Sequence, residues 1–257
     1  MRYDADTWVG HWPFRALPRK RVTDLLHEMD RHGIDKAMTG NLHGLFYMDA
    51  HESNHELARE ARAHRDRIVP CAVLNPVYEG WIDDLRQCRE SFEMPVLRLA
   101  PDYHGYTFAD PLAAEIVHAA SELGMWVAFS WRITDPRGTH RLDPGREMDS
   151  AAVAAFTSHF PEGRFMLLNF RDVPATLQQT EKQQILFDTA LLMGDNGLRL
   201  ERMVAAHGAT RFVLGSTMLM RGGSAACLAL DKARISETER EAIAWRNLAH
   251  ALPQVFC

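Results

Sequence analysis

Three kinds of side chain could do chemistry in this chain: a few carboxylates, a scatter of histidines and a set of arginines beside apolar runs. Asp6 sits in the opening stretch Tyr3 to Phe14, YDADTWVGHWPF, between aromatic residues. A carboxylate so flanked is a candidate general acid or base. His11, His43 and His104 lie just beyond three apolar runs and Asp188 lies on another, so all four could converge if those runs share an end. Three imidazoles and a carboxylate would suit zinc. The plain alternative is loop histidines that are hydrogen-bonded or solvated. Arg98, Arg132 and Arg171 each stand at or just past an apolar run. Facing one mouth, they would grip a carboxylate or phosphate with paired N–H donors; facing their neighbours, they would pair with Asp102, Asp135 or Asp172. Trp8, Trp12, Phe14, Phe46, Tyr47, Tyr103, Tyr106 and Trp131 could close over a flat ligand, or be core.

One motif is set aside. His51-Glu-Ser-Asn-His55 satisfies the H-E-x-x-H pattern, in which two histidines one turn apart hold zinc and the glutamate is the base. The positions where a metzincin continues the motif begin here at Ala58 and Ala61, and the segment reads as an ordinary linking helix.

The elements that must position these residues follow from the patterning. Apolar, β-branched-rich runs recur at 3–9, 35–41, 67–75, 95–100, 125–131, 164–170, 185–189 and 211–217. Between most of them lie segments of helical period. Val22, Leu25, Leu26 and Met29 share one helical face that stops at Gly33, and Leu112, Ile116, Val117 and Ala120 share another that stops at Gly124. Eight alternations imply parallel strands covered by helices: an α/β fold, a (β/α)₈ TIM barrel occupying residues 1–257 as one domain. A doubly wound open sheet is the alternative. The weakest unit precedes strand seven, where 173–184 is short and glutamine-rich. Ser236-Glu-Thr-Glu239 has capping-box spacing ahead of a last helix carrying Ile243, Leu248 and Leu252.

With that order in place, the chain resembles the amidohydrolase-related (amidohydrolase 2) family. The likeness shows in 52–58 (ESNHELA), 73–76 (VLNP), 98–106 (RLAPDYHGY), 212–216 (FVLGS) and 245–248 (WRNL). The resemblance implies a metal held by a His-x-His on strand one, histidines ending strands five and six, and an aspartate ending strand eight. Here those positions read Asp6 and Trp8, Ser130, Asn169 and Thr217. The metal is therefore expected to be absent from its usual site, so no cofactor is expected, and a zinc relocated to His11, His43, His104 and Asp188 is the minority case. Members without metal, as the resemblance implies, still use the strand-eight aspartate to activate water, and the Thr217 hydroxyl cannot act as a base near neutral pH.

The expected function is an amidohydrolase-like enzyme for a small, anionic, carboxylate-bearing substrate, acting by hydrolysis, lactone opening or decarboxylation. Asp6, His11 and Asp188 are the expected catalytic groups. Trp8, Trp12, His43, Arg98, Tyr103, His104, Ser130, Arg132, Asn169, Arg171 and Thr217 are expected to bind substrate. The alternative is an inactive barrel kept as a binding or scaffolding module. The 135–147 loop, with two Asp-Pro steps and two glycines, is a candidate mobile lid.

Composition limits the partners. A net charge of −5 argues against nucleic acid and anionic membranes, since the only basic block, Arg15 to Arg21, precedes a helix and reads as its solvated entry loop. No apolar run is long enough to span a bilayer. Four scattered cysteines, Cys71, Cys88, Cys227 and Cys257, suggest free thiols and a cytoplasmic setting. A homodimer is the base-rate expectation.

Overall fold

Eight parallel strands form the frame of the protein. The computed structural model describes residues 1–177, 179–192 and 198–256. The strands are β1 (Tyr3–Val9), β2 (Lys36–Asn41), β3 (Ile68–Pro70, resuming as Ala72–Val73), β4 (Val96–Leu99), β5 (Trp126–Ser130), β6 (Arg164–Leu168), β7 (Gln184–Asp188) and β8 (Phe212–Val213). Each pairs in parallel with the next in sequence. The two pieces of β3 bracket Cys71, whose N–H donates to the Thr39 carbonyl at 2.8 Å. The ring closes where Ala5 N–H donates to Leu214 O and Thr217 N–H donates to Asp6 O, both at 2.8 Å. This is the TIM barrel that the alternating pattern predicts, and the open-sheet alternative is set aside.

Helices α1 (Val22–His32), α2 (His51–Ala61), α3 (Trp81–Glu90), α4 (Pro101–His104), α5 (Pro111–Glu122), α6 (Ser150–Ser158), α7 (Arg199–His207) and α8 (Ser224–Lys232) lie in the connections. The α1 face ends where the sequence indicates, with Gly33 in the left-handed conformation at φ 63°. Between β6 and β7 the described residues hold no helix. Pro174 and the polar run after it offer neither a continuous helical stretch nor an apolar stripe to bury.

Strand period sorts the core into two layers. In β5, Val127 and Phe129 face the helices, whereas Trp126 and Ala128 fill the barrel interior with Met38, Val96 and Met166. Cys71, Cys88 and Cys227 are buried free thiols; Cys257 lies outside the described residues. Among the described residues no helix is long and apolar enough to cross a membrane.

One irregularity sets up the site. The β1–β2 register slips between Asp4 and Thr7, so β1 carries one residue more than its partner there. Such a bulge reverses which face later side chains occupy. Ala5 packs in the barrel interior, and Asp6, next to it, still reaches across the barrel to Arg98 and Asn169.

Candidate functional site

Asp6 is fully buried at the barrel mouth. One carboxylate oxygen accepts from Arg98 Nη1 at 2.6 Å, and the other accepts from Asn169 Nδ2 at 2.8 Å. Strand period alone turns Arg98 inward, since its neighbours Leu97 and Leu99 pack toward the helices. Its guanidinium lies over the Trp8 ring, 4.4 Å from the centroid, and is 3% exposed. The stack sits on bare backbone: a Cβ placed on Gly40 would fall 2.8 Å from the Trp8 ring and 3.1 Å from Arg98 Cδ.

Asn169 and Thr217, just beyond β6 and β8, both hold left-handed backbones at φ 61° and 57°. Asparagine tolerates this; a β-branched threonine does so only when its surroundings impose it. The Asn169 turn lets its backbone N–H donate to Asp188 Oδ1 at 2.7 Å while its side chain serves Asp6. Thr217 gives its N–H to Asp6 O and its hydroxyl to Ser216 O at 2.6 Å.

Two more carboxylates are buried close by. Burial, followed by the charge of Asp6, raises Asp188 well above the usual carboxylate range. Asp188 Oδ2 has no hydrogen-bond partner, and only glycine fits at position 215 beside it, because a Cβ there would lie 2.4 Å from that oxygen. Asp4 is pushed up to about 7, chiefly by burial, although Ser216 and the Asp6 N–H donate to it. Burial works against the Arg98 charge too, but Asp6 and then Cys71 hold that group above its usual value.

Next to this cluster, at the ends of β4 and β5, lies a narrow pocket: its non-atom space is about 430 Å³ when open solvent is counted, and about 20 Å³ of it admits the centre of a water molecule, so a ring-sized ligand enters only as the lining side chains part. Trp8, Arg98, Tyr103, Ser130 and Arg132 line it, together with Leu45, Ile133 and Met148. Trp8 Nε1, Arg98 Nε and Arg132 Nε are buried N–H donors without an acceptor. Three unmatched donors on the lining of one pocket suit an anion or another acceptor-rich ligand.

The other expected site residues lie elsewhere. His11 is exposed, beside Lys20 Nζ at 2.9 Å, and its backbone N–H donates to His43 Nε2 at 2.9 Å. His43 pairs through Nδ1 with Glu56 at 2.6 Å, in a separate cleft above β1 and β2. His104 is bonded through Nε2 to the Gly44 carbonyl at 2.8 Å, and burial lowers its pKa. Trp12 packs edge-on against Phe14, Phe46 and Tyr103, which makes it a wall behind the pocket and not its lining. Arg171 is exposed and stacks on Trp131 at 5.0 Å. Among the described residues no three His, Cys, Asp or Glu side chains are grouped to hold a metal, so the relocated zinc set does not form. The H-E-x-x-H segment is spent on packing: His51 bonds Gln87 at 2.7 Å and Glu52 is exposed.

No family model and no curated protein matches the sequence. Solved structures do. The 5-carboxyvanillate decarboxylase from Sphingomonas paucimobilis superposes with a TM-score of 0.74 at 12% identity, over 98% of both chains. The dihydroxybenzoic acid decarboxylase from Polaromonas sp. JS666, solved with manganese and the inhibitor 2-nitroresorcinol, gives 0.71 at 13% identity, over 98% of this chain and 96% of that one. A putative amidohydrolase from Staphylococcus aureus gives 0.71 at 9% identity, over 98% and 99%. This chain shares the barrel fold of these structures.

That fold raises the question of a metal, which the donor chemistry here answers. Both oxygens of Asp6 are engaged, and a guanidinium stands 2.6 Å from one of them. Trp8 offers an indole, and Ser130, Asn169 and Thr217 offer neutral groups at the other strand ends where the resemblance implies ligands. A divalent ion needs several anionic or imidazole donors converging on an open position. The residues present do not fit one.

Besides apolar lining, sequence reasoning missed two charged pocket residues, Asp102 and Arg146. They meet across the pocket rim, where Arg146 N–H donates to Asp102 Oδ2 at 2.8 Å. The sequence suggests Asp102 only as a partner for an arginine. The one sequence signal for Arg146 is its place in the Asp-Pro-Gly-Arg end of the loop.

Proposed function

We propose that this barrel is an amidohydrolase-type enzyme for a small, ring-bearing carboxylate bound in the pocket at the ends of β4 and β5. The observation that carries the reading is the set of three unmatched N–H donors on Trp8, Arg98 and Arg132, all on residues that line this one pocket. A carboxylate drawn between these side chains would give the buried donors an acceptor once they turn toward it, and Trp8 and Tyr103 would flank a planar ring. Arg98 joins pocket to cluster, because the same guanidinium that meets the ligand is anchored by Asp6 beneath. Preorganised donors of this kind stabilise negative charge that develops during hydrolysis or loss of carbon dioxide. Asp6 then anchors Arg98 and is no free base. Asp102 is the carboxylate on the pocket lining and the group placed to exchange protons there.

A second reading, a binding module without turnover, is favoured by Thr217, whose hydroxyl is tied to Ser216 O where a water-activating carboxylate would be needed. One experiment separates them. Hydroxybenzoates and pyrone carboxylates are screened by thermal melt beside the matching neutral amides, and each acid that stabilises is then assayed for product. An acid-specific rise with product supports the enzyme. A rise with the acid recovered intact supports the binding module, and no acid-specific rise overturns both.

A further inference from the structure

We infer that the Arg98 guanidinium is the resident cation of this barrel mouth, filling the role that a divalent ion has in a metal-dependent barrel. The inference concerns the same mouth but does not depend on which ligand enters it.

Three observations lead there. Asp6, the charged residue among the strand-end positions where the fold's metal donors are expected, is paired at 2.6 Å with Arg98 in a fully buried setting. Trp8, two residues on, presents its ring face to that guanidinium at 4.4 Å, so a position that could carry a ligand carries a cation-binding surface instead. Gly40 leaves room for the stack, since any Cβ there would collide with Trp8 and press on Arg98. Asp4, Asp6 and Asp188 are all buried at this end of the barrel, and among the described residues the Asp6 carboxylate is matched within salt-bridge distance by Arg98 alone, with Arg221 acting on it from further off. A buried carboxylate without a cation is strongly disfavoured. The substitutions at Trp8, Ser130, Asn169 and Thr217 are thus consistent with one another: each removes an ion ligand from a mouth that already holds its positive charge.

The test uses the intact protein and no substrate. Wild-type protein is dialysed against manganese or zinc, desalted and analysed for metal, and its melting temperature is followed with each ion and with chelator. The expected result is no stoichiometric metal and no shift. Arg98→Ala is expected to melt roughly 10 °C or more below wild type, and added methylguanidinium, but not methylammonium, is expected to raise the melt of the variant and leave wild type unmoved. Should Arg98→Ala fail to fold, the neutral pair Asp6→Asn with Arg98→Met replaces it, and must melt above Asp6→Asn alone. One equivalent of tightly held metal in wild type, an Arg98→Ala melt equal to wild type, an equal response of both proteins to methylguanidinium, or a neutral pair no more stable than Asp6→Asn would each overturn the inference. Failure of the carboxylate reading would appear separately, as the absence of any ligand-induced shift.

Discussion

At the scale of single residues, charge pairing decides what each substitution does. From the sequence, Asp6→Asn is expected to end turnover and spare the fold; the buried 2.6 Å pair with Arg98 changes the second half of that expectation. Removing one partner of such a pair leaves an uncompensated charge and costs about 3–5 kcal/mol, which urea denaturation at neutral pH measures directly. Arg132 differs, since its own partners, Thr139 at 2.8 Å and Glu147 at 3.6 Å, lie toward the surface. Arg132→Met is expected to weaken carboxylate binding by roughly 10-fold or more, the loss of a charged hydrogen bond, with little change in the melt. Asp4 gives a pH signature. Its folded pKa of about 7, raised chiefly by burial, lies above the roughly 3.9 of an unfolded aspartate. Between these values the folded chain binds more protons than the unfolded one, so stability from this group is full below about pH 4, falls as pH rises toward 7 and is level beyond. Asp4→Asn, which keeps the shape and removes the titration, is expected to flatten the dependence of stability on pH across that window, and an unchanged slope in paired denaturation curves would contradict the assignment.

At the scale of elements, the loop that the sequence marks as a mobile lid is latched. Asp143 is 1% exposed and accepts from Tyr103 Oη at 3.1 Å, Gly145 N–H at 3.0 Å and Thr134 Oγ1 at 3.3 Å. The Arg146 N–H bond to Asp102 ties the same loop to α4. Asp143→Ala is expected to free 135–147, so that trypsin cuts at Arg137, Arg141 or Arg146 several-fold faster than in wild type while cuts elsewhere are unaffected. Equal cleavage rates would mean that the latch lies elsewhere. The latch also shows where sequence reading stops. Apolar runs make the strands legible, and the short, polar stretch before β7 makes legible the lack of a helix among the described residues there. The β1 bulge is not legible, because the slip exists only relative to β2; the break of alternation at Asp6-Thr7 and Trp8-Val9 is its one trace in the sequence. Asp6 is found through the family resemblance, Arg98 through its place on a strand. Asp102 and Arg146 meet by tertiary contact, which no spacing encodes. The histidines mislead for the converse reason: His11, His43 and His104 follow the expected strands, yet local partners such as Glu56 and the Gly44 carbonyl claim them.

At the scale of the whole molecule, the barrel has a polar mouth at one end and an apolar plug at the other. The C-terminal helical run, Asn247–Ala251 followed by Pro253–Phe256, brings Leu248, Leu252 and Phe256 against Tyr3, Met38, Val96 and Trp126 in the barrel interior. Polar bonds fix it there: Tyr3 Oη donates to Phe256 O at 3.1 Å, Trp126 Nε1 to Ala251 O at 3.1 Å and Lys36 Nζ to Val255 O at 3.0 Å. Without this run the strand starts would expose an apolar layer, so closure of the lower end is a condition for the charged cluster above it to stay dry. Leu252 is fully buried in that layer. Leu252→Ala is expected to cost about 2–5 kcal/mol and to lower the melt by roughly 5–15 °C. The pocket at the ends of β4 and β5, proposed to take the ligand, is lined by residues at the opposite end. Affinity for a stabilising carboxylate, measured by calorimetry well below the lowered melt, should therefore stay within about twofold of wild type, the spread expected of independent distant sites. A parallel loss of affinity would mean that the plug also sets the strand geometry on which Arg98 and Asp6 depend.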